Sequence, residues 1–139
     1  MPFFSPEEGV KLHYEVHTPL DLSKPVVLLL HPTSLDSTFL EPQTSDPKLR
    51  ELATLITVDD RYCGQTEAAW EPSYDTWAQA ADLARLIRHL GLPPVHVFCS
   101  QSGATRQAVR LAVVFPDLVA TLSIAGIVVD ILWVSLLNL

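Results

Sequence analysis

A serine flanked by small residues can serve as an acyl-transfer nucleophile where the chain turns sharply, and Ser100-Gln101-Ser102-Gly103-Ala104 is such a stretch. The apolar run Val95-His96-Val97-Phe98 leads into it, and a helical pattern leaves it at once. A tight strand-to-helix corner lifts one side chain clear of the backbone, where a hydroxyl can meet a carbonyl carbon. The usual spelling is Gly-x-Ser-x-Gly; here Ser100 and Ala104 stand where the outer glycines would be. Ser102 is the candidate nucleophile and Ser100 its rival. Two more polar stretches follow apolar runs in the same manner. His31-Pro32-Thr33-Ser34 comes after Pro25–Leu30, and Asp59-Asp60-Arg61-Tyr62-Cys63-Gly64-Gln65-Thr66 comes after Leu55–Val58.

The elements that must hold these loops read clearly. Val10, Leu12, Tyr14 and Val16 alternate with Lys11, His13 and Glu15, the period of a half-buried antiparallel strand, with Phe3-Phe4 as its hairpin partner across Pro6–Gly9. On that pattern His13 and His17 are solvated strand residues. Val26–Leu30 and Leu55–Val58 are apolar runs too short for helices, as strands buried on both faces are. Pro47 suits the first position of a short helix ending near Leu55. Asp75 or Thr76 can cap a helix carrying Ala80, Leu83, Ala84, Ile87 and Leu90 on one stripe, stopped by Gly91 and Pro93-Pro94, with His89 off the stripe at the surface. After the Ser102 corner a helix is expected from about Gly103 to Phe115, ended by Pro116, and then a strand over Leu118–Ile124. Short apolar strands alternating with amphipathic helices predict an α/β fold: a mostly parallel sheet with helices on both faces and an N-terminal antiparallel hairpin. Function in such sheets gathers at the carboxyl ends of the strands. That rim receives His31, the Asp59–Thr66 loop and Ser102, whereas His96 falls on the opposite rim.

Composition narrows the function classes. The chain has 139 residues, enough for one domain with a sizeable core, and 48% of them are hydrophobic. Its formal net charge of -7 and 9 Lys+Arg, without a basic cluster, exclude a nucleic-acid partner. Cys63 and Cys99 stand far apart with no CxxC pair, which argues against a zinc site and a disulfide framework. Neither early strand-to-helix turn carries GxGxxG, so a nicotinamide or flavin cofactor is disfavoured, and no cofactor or metal is expected. Glu7 and Glu8 stand where a signal peptide would be basic and then apolar, which points to a cytoplasmic chain.

Taken together, these stretches resemble the α/β-hydrolase family over nearly the whole chain to about Gly126. His31-Pro32 is similar to that family's His-Gly oxyanion turn. The Asp59–Thr66 loop is similar to its Asp-x-Arg-Gly-x-Gly-x-Ser loop, and Val95–Ala104 to its nucleophile segment. The distance from Ser102 to Phe115-Pro116 matches the family's helix length. The resemblance implies that Ser102 is the nucleophile of a serine hydrolase acting on an ester, thioester or related acyl bond. The oxyanion would be held by the backbone N–H of Gly103 and one from the loop after His31, most naturally Thr33, since Pro32 has no N–H to give. His31 in this family mainly shapes the oxyanion loop.

The family's triad runs Ser, then Asp or Glu, then His in chain order. After Ser102 this chain has Asp117 and Asp130 and no histidine. Asp117 belongs to the wrong rim; Asp130, where some members place the acid, and His31 are the auxiliary candidates. A serine without a base is a poor nucleophile, and what binding and an oxyanion hole retain alone is roughly 10³–10⁴ over water. The chain is therefore expected to be weak or inactive, with a non-catalytic half-domain that binds a partner or small ligand as the alternative. Residues 1–126 read as a partial hydrolase core and 127–139 as an apolar tail standing in for a second half. Val119–Leu139 is 21 residues with Asp130 as its one charge, about 31 Å at helical rise. Asp130 would cost a membrane span about 2.5–3.5 kcal/mol, which disfavours that reading. Such a tail beside an open sheet edge predicts self-association.

Overall fold

The structure is a computed structural model and describes residues 2–125. Among the described residues one sheet holds seven strands: β1 (Phe3–Phe4), β2 (Val10–Val16), β3 (Val26–Leu30), β4 (Thr54–Val58), β5 (Glu67–Ala68), β6 (Val95–Ser100) and β7 (Val119–Ala125). They lie in the order β1-β2-β4-β3-β6-β7, with β5 paired to β2 off that path. β2 runs antiparallel to β1, β4 and β5, while β4, β3, β6 and β7 are mutually parallel. Crossovers between parallel strands return the chain to the same edge, so β3, β4 and β6 all end on one rim. The loops after Leu30, Val58 and Ser100 open there together, as the alternation of elements required.

Each helix is fixed by a local signal. In α2 (Pro47–Leu52) Pro47 takes the first turn and Asp46 accepts the N–H groups of Lys48 and Leu49. In α3 (Thr76–His89) Asp75 accepts those of Trp77 and Ala78. α3 and α4 (Ser102–Val114) pack side by side on one face of the sheet. Leu83, Ala84 and Ile87 of α3 and Ala104, Ala108 and Leu111 of α4 meet Leu12, Leu28, Leu30, Ile56, Val95 and Val97 in the main core. The opposite face holds a smaller cluster, Leu29, Leu40, Ala53 and Leu55, packed by Val27 and Phe98. A 3₁₀ turn (Ser37–Leu40), α1 (Glu41–Thr44) and α2 cover it in part.

Several sequence expectations shift. The 3₁₀ turn and α1 lie in a stretch without a strong periodicity; Asp36 starts the turn by accepting the Thr38 N–H, and the fully buried Leu40 anchors it. β5 was not foreseen and extends the antiparallel side by two residues. His13 is not a solvated strand residue: it is 1% exposed, because the loop after β4 covers the second face of β2. His17 is also part-buried, with Nε2 2.9 Å from the Thr57 hydroxyl. His89 is exposed and stacks on Phe4, with ring centroids 4.6 Å apart. Val119–Ala125, the first part of the stretch weighed as a membrane span, is a strand, and among the described residues no helix is long and apolar enough to cross a membrane. Asp130 and the 127–139 tail lie outside the described residues.

Candidate active site

The corner after β6 is sharper than its residue types suggest. Ser100 is the last strand residue, Ser102 the first helical one, and Gln101 between them has φ 71° and ψ 159°. Glycine is almost the only residue that adopts this region freely; any other costs about 1–3 kcal/mol and needs surroundings that hold it there. Here they do. The Gln101 N–H donates to the Ala125 carbonyl at 3.2 Å, and its own carbonyl accepts the Thr105 N–H at 3.1 Å and the Thr105 hydroxyl at 2.7 Å. The left-handed residue of the corner is thus Gln101, with an exposed side chain, and Ser102 follows it at the first position of α4.

Thr33 and Gly103, the expected oxyanion pair, come together. A Cβ on Gly103 would fall inside the Thr33 side chain, overlapping its Oγ1, and would lie 2.7 Å from its Cβ and 3.5 Å from its backbone nitrogen. Only glycine allows the loop after β3 to seat this closely on the first turn of α4. The Gly103 N–H belongs to that first turn, whose donors have no partner within the helix. Two backbone donors beside a strand-to-helix corner are what a developing oxyanion needs.

His31 holds this loop and is spent in doing so. It is 1% exposed; its Nε2 accepts the Asp60 N–H at 3.1 Å, so the proton sits on Nδ1, which donates to the Pro32 carbonyl at 2.9 Å. Both ring nitrogens are engaged, which fits the shaping role and leaves no lone pair for an attacking hydroxyl. Of the other four histidines, three have polar partners, His13 with Asp59, His17 with Thr57 and His96 with Thr121 at 2.8 Å, and the exposed His89 stacks on Phe4.

The charged loop after β4 proves to be a buried frame. Asp59 accepts the N–H groups of Ser37 at 2.8 Å and Gln65 at 3.0 Å, and meets His13 Nδ1 at 2.9 Å. Burial pushes its pKa up, but these hydrogen bonds outweigh burial and hold it below the usual carboxylate value. Gly64, at φ 50°, passes so close that a Cβ would sit 2.5 Å from Asp59 Cγ. Arg61 donates to Asp82 on α3 through Nε at 2.8 Å and Nη2 at 2.9 Å, contacts Glu7 at 2.6 Å, and lies over the Tyr74 ring. Asp60 is the residue that sequence reasoning passed over. It is 8% exposed, and burial raises its pKa from 3.8 to about 6. Burial is the largest cause and outweighs the His31 ring, 4.0 Å from the Asp60 carboxyl, and a hydrogen bond from the Gln107 side chain, both of which pull it down. Its sequence signal was slight, a second carboxylate where the loop needs one.

A cleft of about 430 Å³ opens on this rim between Ser34–Phe39 and Tyr62–Gly64. Trp70 and Trp77 are both exposed; Trp70 tilts against Tyr62, and Arg110 lies over the Trp77 ring. Cys63 and Cys99 are free thiols. Among the described residues no group of three His, Cys, Asp or Glu side chains is arranged to hold a metal.

A carboxylesterase of the thaumarchaeon Nitrososphaera gargenis superposes with a TM-score of 0.77 at 22% identity, over 91% of this chain and 46% of that one. The enol-lactonase of Burkholderia xenovorans LB400 gives 0.76 at 21%, over 87% and 45%, and a thermophilic esterase of Thermogutta terrifontis gives 0.72 at 27%, over 83% and 40%. The chain thus spans less than half the length of these proteins. A sequence model of the alpha/beta hydrolase fold matches residues 25–138, from the start of the Pro25–Leu30 run through the corner and beyond. With three rim loops, a strained corner after β6 and this match over most of its length, the chain belongs to the α/β-hydrolase family.

Proposed function

We propose that this chain carries the acyl-recognition part of a serine-hydrolase site and turns over esters weakly or not at all. The observation that supports this reading is the seating of Thr33 on Gly103, which brings the two residues close beside the corner. In it Ser102 is the nucleophile, the N–H groups of Thr33 and Gly103 hold the oxyanion, and His31 supports the loop without acting as base. The likeness to an esterase at 27% identity favours an ester or a related small acyl compound as the molecule recognised. Asp130 is the remaining auxiliary candidate, residues 1–126 the partial core and 127–139 the tail. The uncharged strand Val119–Ala125 at the end of the sheet supports association between copies, which sedimentation would detect.

The test is labelling of the purified, folded chain by a fluorophosphonate probe, read by intact mass, with Ser102→Ala as control. Little or no labelling is expected. Rapid labelling, or turnover of an activated ester, that disappears in Ser102→Ala would overturn the inactive part of the reading.

One observation favours a second reading, binding without chemistry. Gln101, not a hydroxyl residue, holds the strained position and is exposed at the rim. A primary amide there offers a carbonyl or carboxylate ligand two more N–H donors and no leaving proton. On this reading Ser102→Ala leaves ligand affinity unchanged, whereas Gln101→Gly weakens it.

A further inference from the structure

The loop after β4 and the second turn of α4 meet in a polar contact beneath the rim. Asp60 and Gln107 are both buried there. The Gln107 side chain hydrogen-bonds the Asp60 carboxyl, and only the amide N–H can donate to a carboxylate. The other end of the amide, Oε1, is buried and has no partner among the described residues. A buried carbonyl oxygen without a donor is costly, because the hydrogen bonds it made to water are not replaced.

The other titratable groups around Asp60 have partners of their own or lie out of reach. Asp59, beside it, takes the N–H groups of Ser37 and Gln65 and meets His13, and Asp82 of α3 is paired with Arg61. Cys63 and Tyr74 feel its charge, which adds to the rise that burial gives each of their pKa values. His31 stands 4.0 Å from the carboxyl, beyond hydrogen-bond reach, and its Nε2 takes the Asp60 N–H. Gln107 is thus the side chain that can answer a proton on Asp60. A carboxylic acid and a primary amide close a ring of two hydrogen bonds. The acid O–H donates to the amide oxygen and the amide N–H to the acid carbonyl. A carboxylate has no proton to give and leaves the amide oxygen facing it without a donor. The last torsion of a glutamine side chain is broad, so one amide can present both atoms to the carboxyl. Burial already favours the neutral acid, with the pKa raised to about 6.

We propose that Asp60 and Gln107 form a proton-operated clasp between the loop after β4 and α4. With the proton on Asp60 the two side chains close the acid–amide ring; with the proton lost, one bond opens and Gln107 Oε1 is left without a donor. The clasp sits one turn along α4 from Gly103. Asp60 is tied through its N–H to His31, whose Nδ1 holds the Pro32 carbonyl of the loop that carries Thr33. Proton uptake therefore fastens the start of α4 to the two loops that pack against it.

The test is NMR of the full chain labelled with ¹³C and ¹⁵N, with the Gln107 side-chain resonances identified by their loss in Gln107→Leu. From pH 8 to pH 4 the Gln107 Cδ resonance is expected to move downfield, as a carbonyl does on gaining a hydrogen bond. It should move together with Asp60 Cγ, with one shared midpoint at about pH 6. Asp60→Asn keeps a donor and an acceptor at every pH, and its amide closes the same ring with Gln107. In that variant the Gln107 resonance is expected at its acid position throughout. The titration of the unaltered chain stands without the variant should Asp60→Asn fail to fold. A Gln107 resonance indifferent to pH in the folded chain would overturn the proposal, as would a midpoint different from that of Asp60. So would an unchanged titration in Asp60→Asn, which would assign the proton to a neighbour such as His31 or Cys63.

Discussion

Asp60 places an ionisable carboxyl under the rim, where burial outweighs the nearby His31 and Gln107 side chains, and replacing it with Asn tests that arrangement directly. The carboxyl is 8% exposed, and its pKa rises from 3.8 to about 6 because burial penalises the charged form. A raised carboxylate pKa means that the folded chain holds the proton more tightly than the unfolded chain. Between pH 4 and 6 the unfolded state therefore releases it first, and stability falls as pH rises through that window. Below it both states are protonated and the carboxyl imposes no penalty; above it the full penalty stands. The gap of about two units, at roughly 1.4 kcal/mol per unit, amounts to about 3 kcal/mol. Asp60→Asn keeps the size and the polarity and removes the titration. Urea unfolding of both proteins from pH 4 to 8 is expected to show near-equal stability at the acid end and a variant more stable by up to about 3 kcal/mol at the alkaline end. Parallel profiles at every pH would refute the reasoning, since they would mean that the carboxyl is solvated or paired in the folded chain.

Gly103→Ala should drive a methyl into Thr33, cost about 1–3 kcal/mol in thermal unfolding and abolish binding of a small acyl ligand at the rim. Arg61→Ala should cost about 3–5 kcal/mol in denaturant unfolding, because it leaves Asp82 charged and buried. Adding Asp82→Ala to it should cost less than the sum of the two single changes. Gln101→Gly should raise the urea midpoint by the equivalent of about 1–3 kcal/mol, because the strained φ and ψ cost glycine nothing.

Much of the scaffold was legible because each element carried its own signal. The buried runs Val26–Leu30 and Leu55–Val58, Pro47 at a helix start, the stripe on Thr76–His89 and the cap Asp75 are local facts, and a mostly parallel sheet follows once strands and helices alternate. What escaped depends on contacts distant in sequence. His13 alternates with apolar neighbours as a solvated residue would; only the return of Asp59, 46 positions later, buries it. The burial of Asp59, Asp60 and Arg61 was hidden for the same reason. A run of charges reads as solvated until Asp82, Glu7 and the N–H groups of Ser37 and Gln65 are brought to it by other elements.

The corner shows where pattern and backbone measure different things. The resemblance, through the family's helix length counted back from the Pro116 stop, points to Ser102. The backbone instead fixes where the strand ends. Ser100 stays in register with Ala125 of β7, so β6 runs one residue beyond Cys99 and the turn must be made at the next position, which is Gln101. The helix then takes up Ser102 as its first residue. A glycine at that turn would have revealed the left-handed position in the sequence; a glutamine does not, because its φ of 71° is imposed by Ala125 and Thr105 and not by its own preference. Ser102 therefore stands in the first turn of α4, next to Gly103, while the left-handed position carries an amide. Whether that amide or the hydroxyl governs ligand affinity is the difference between a hydrolase half-site and a binding site, and Ser102→Ala set against Gln101→Gly separates them in one titration.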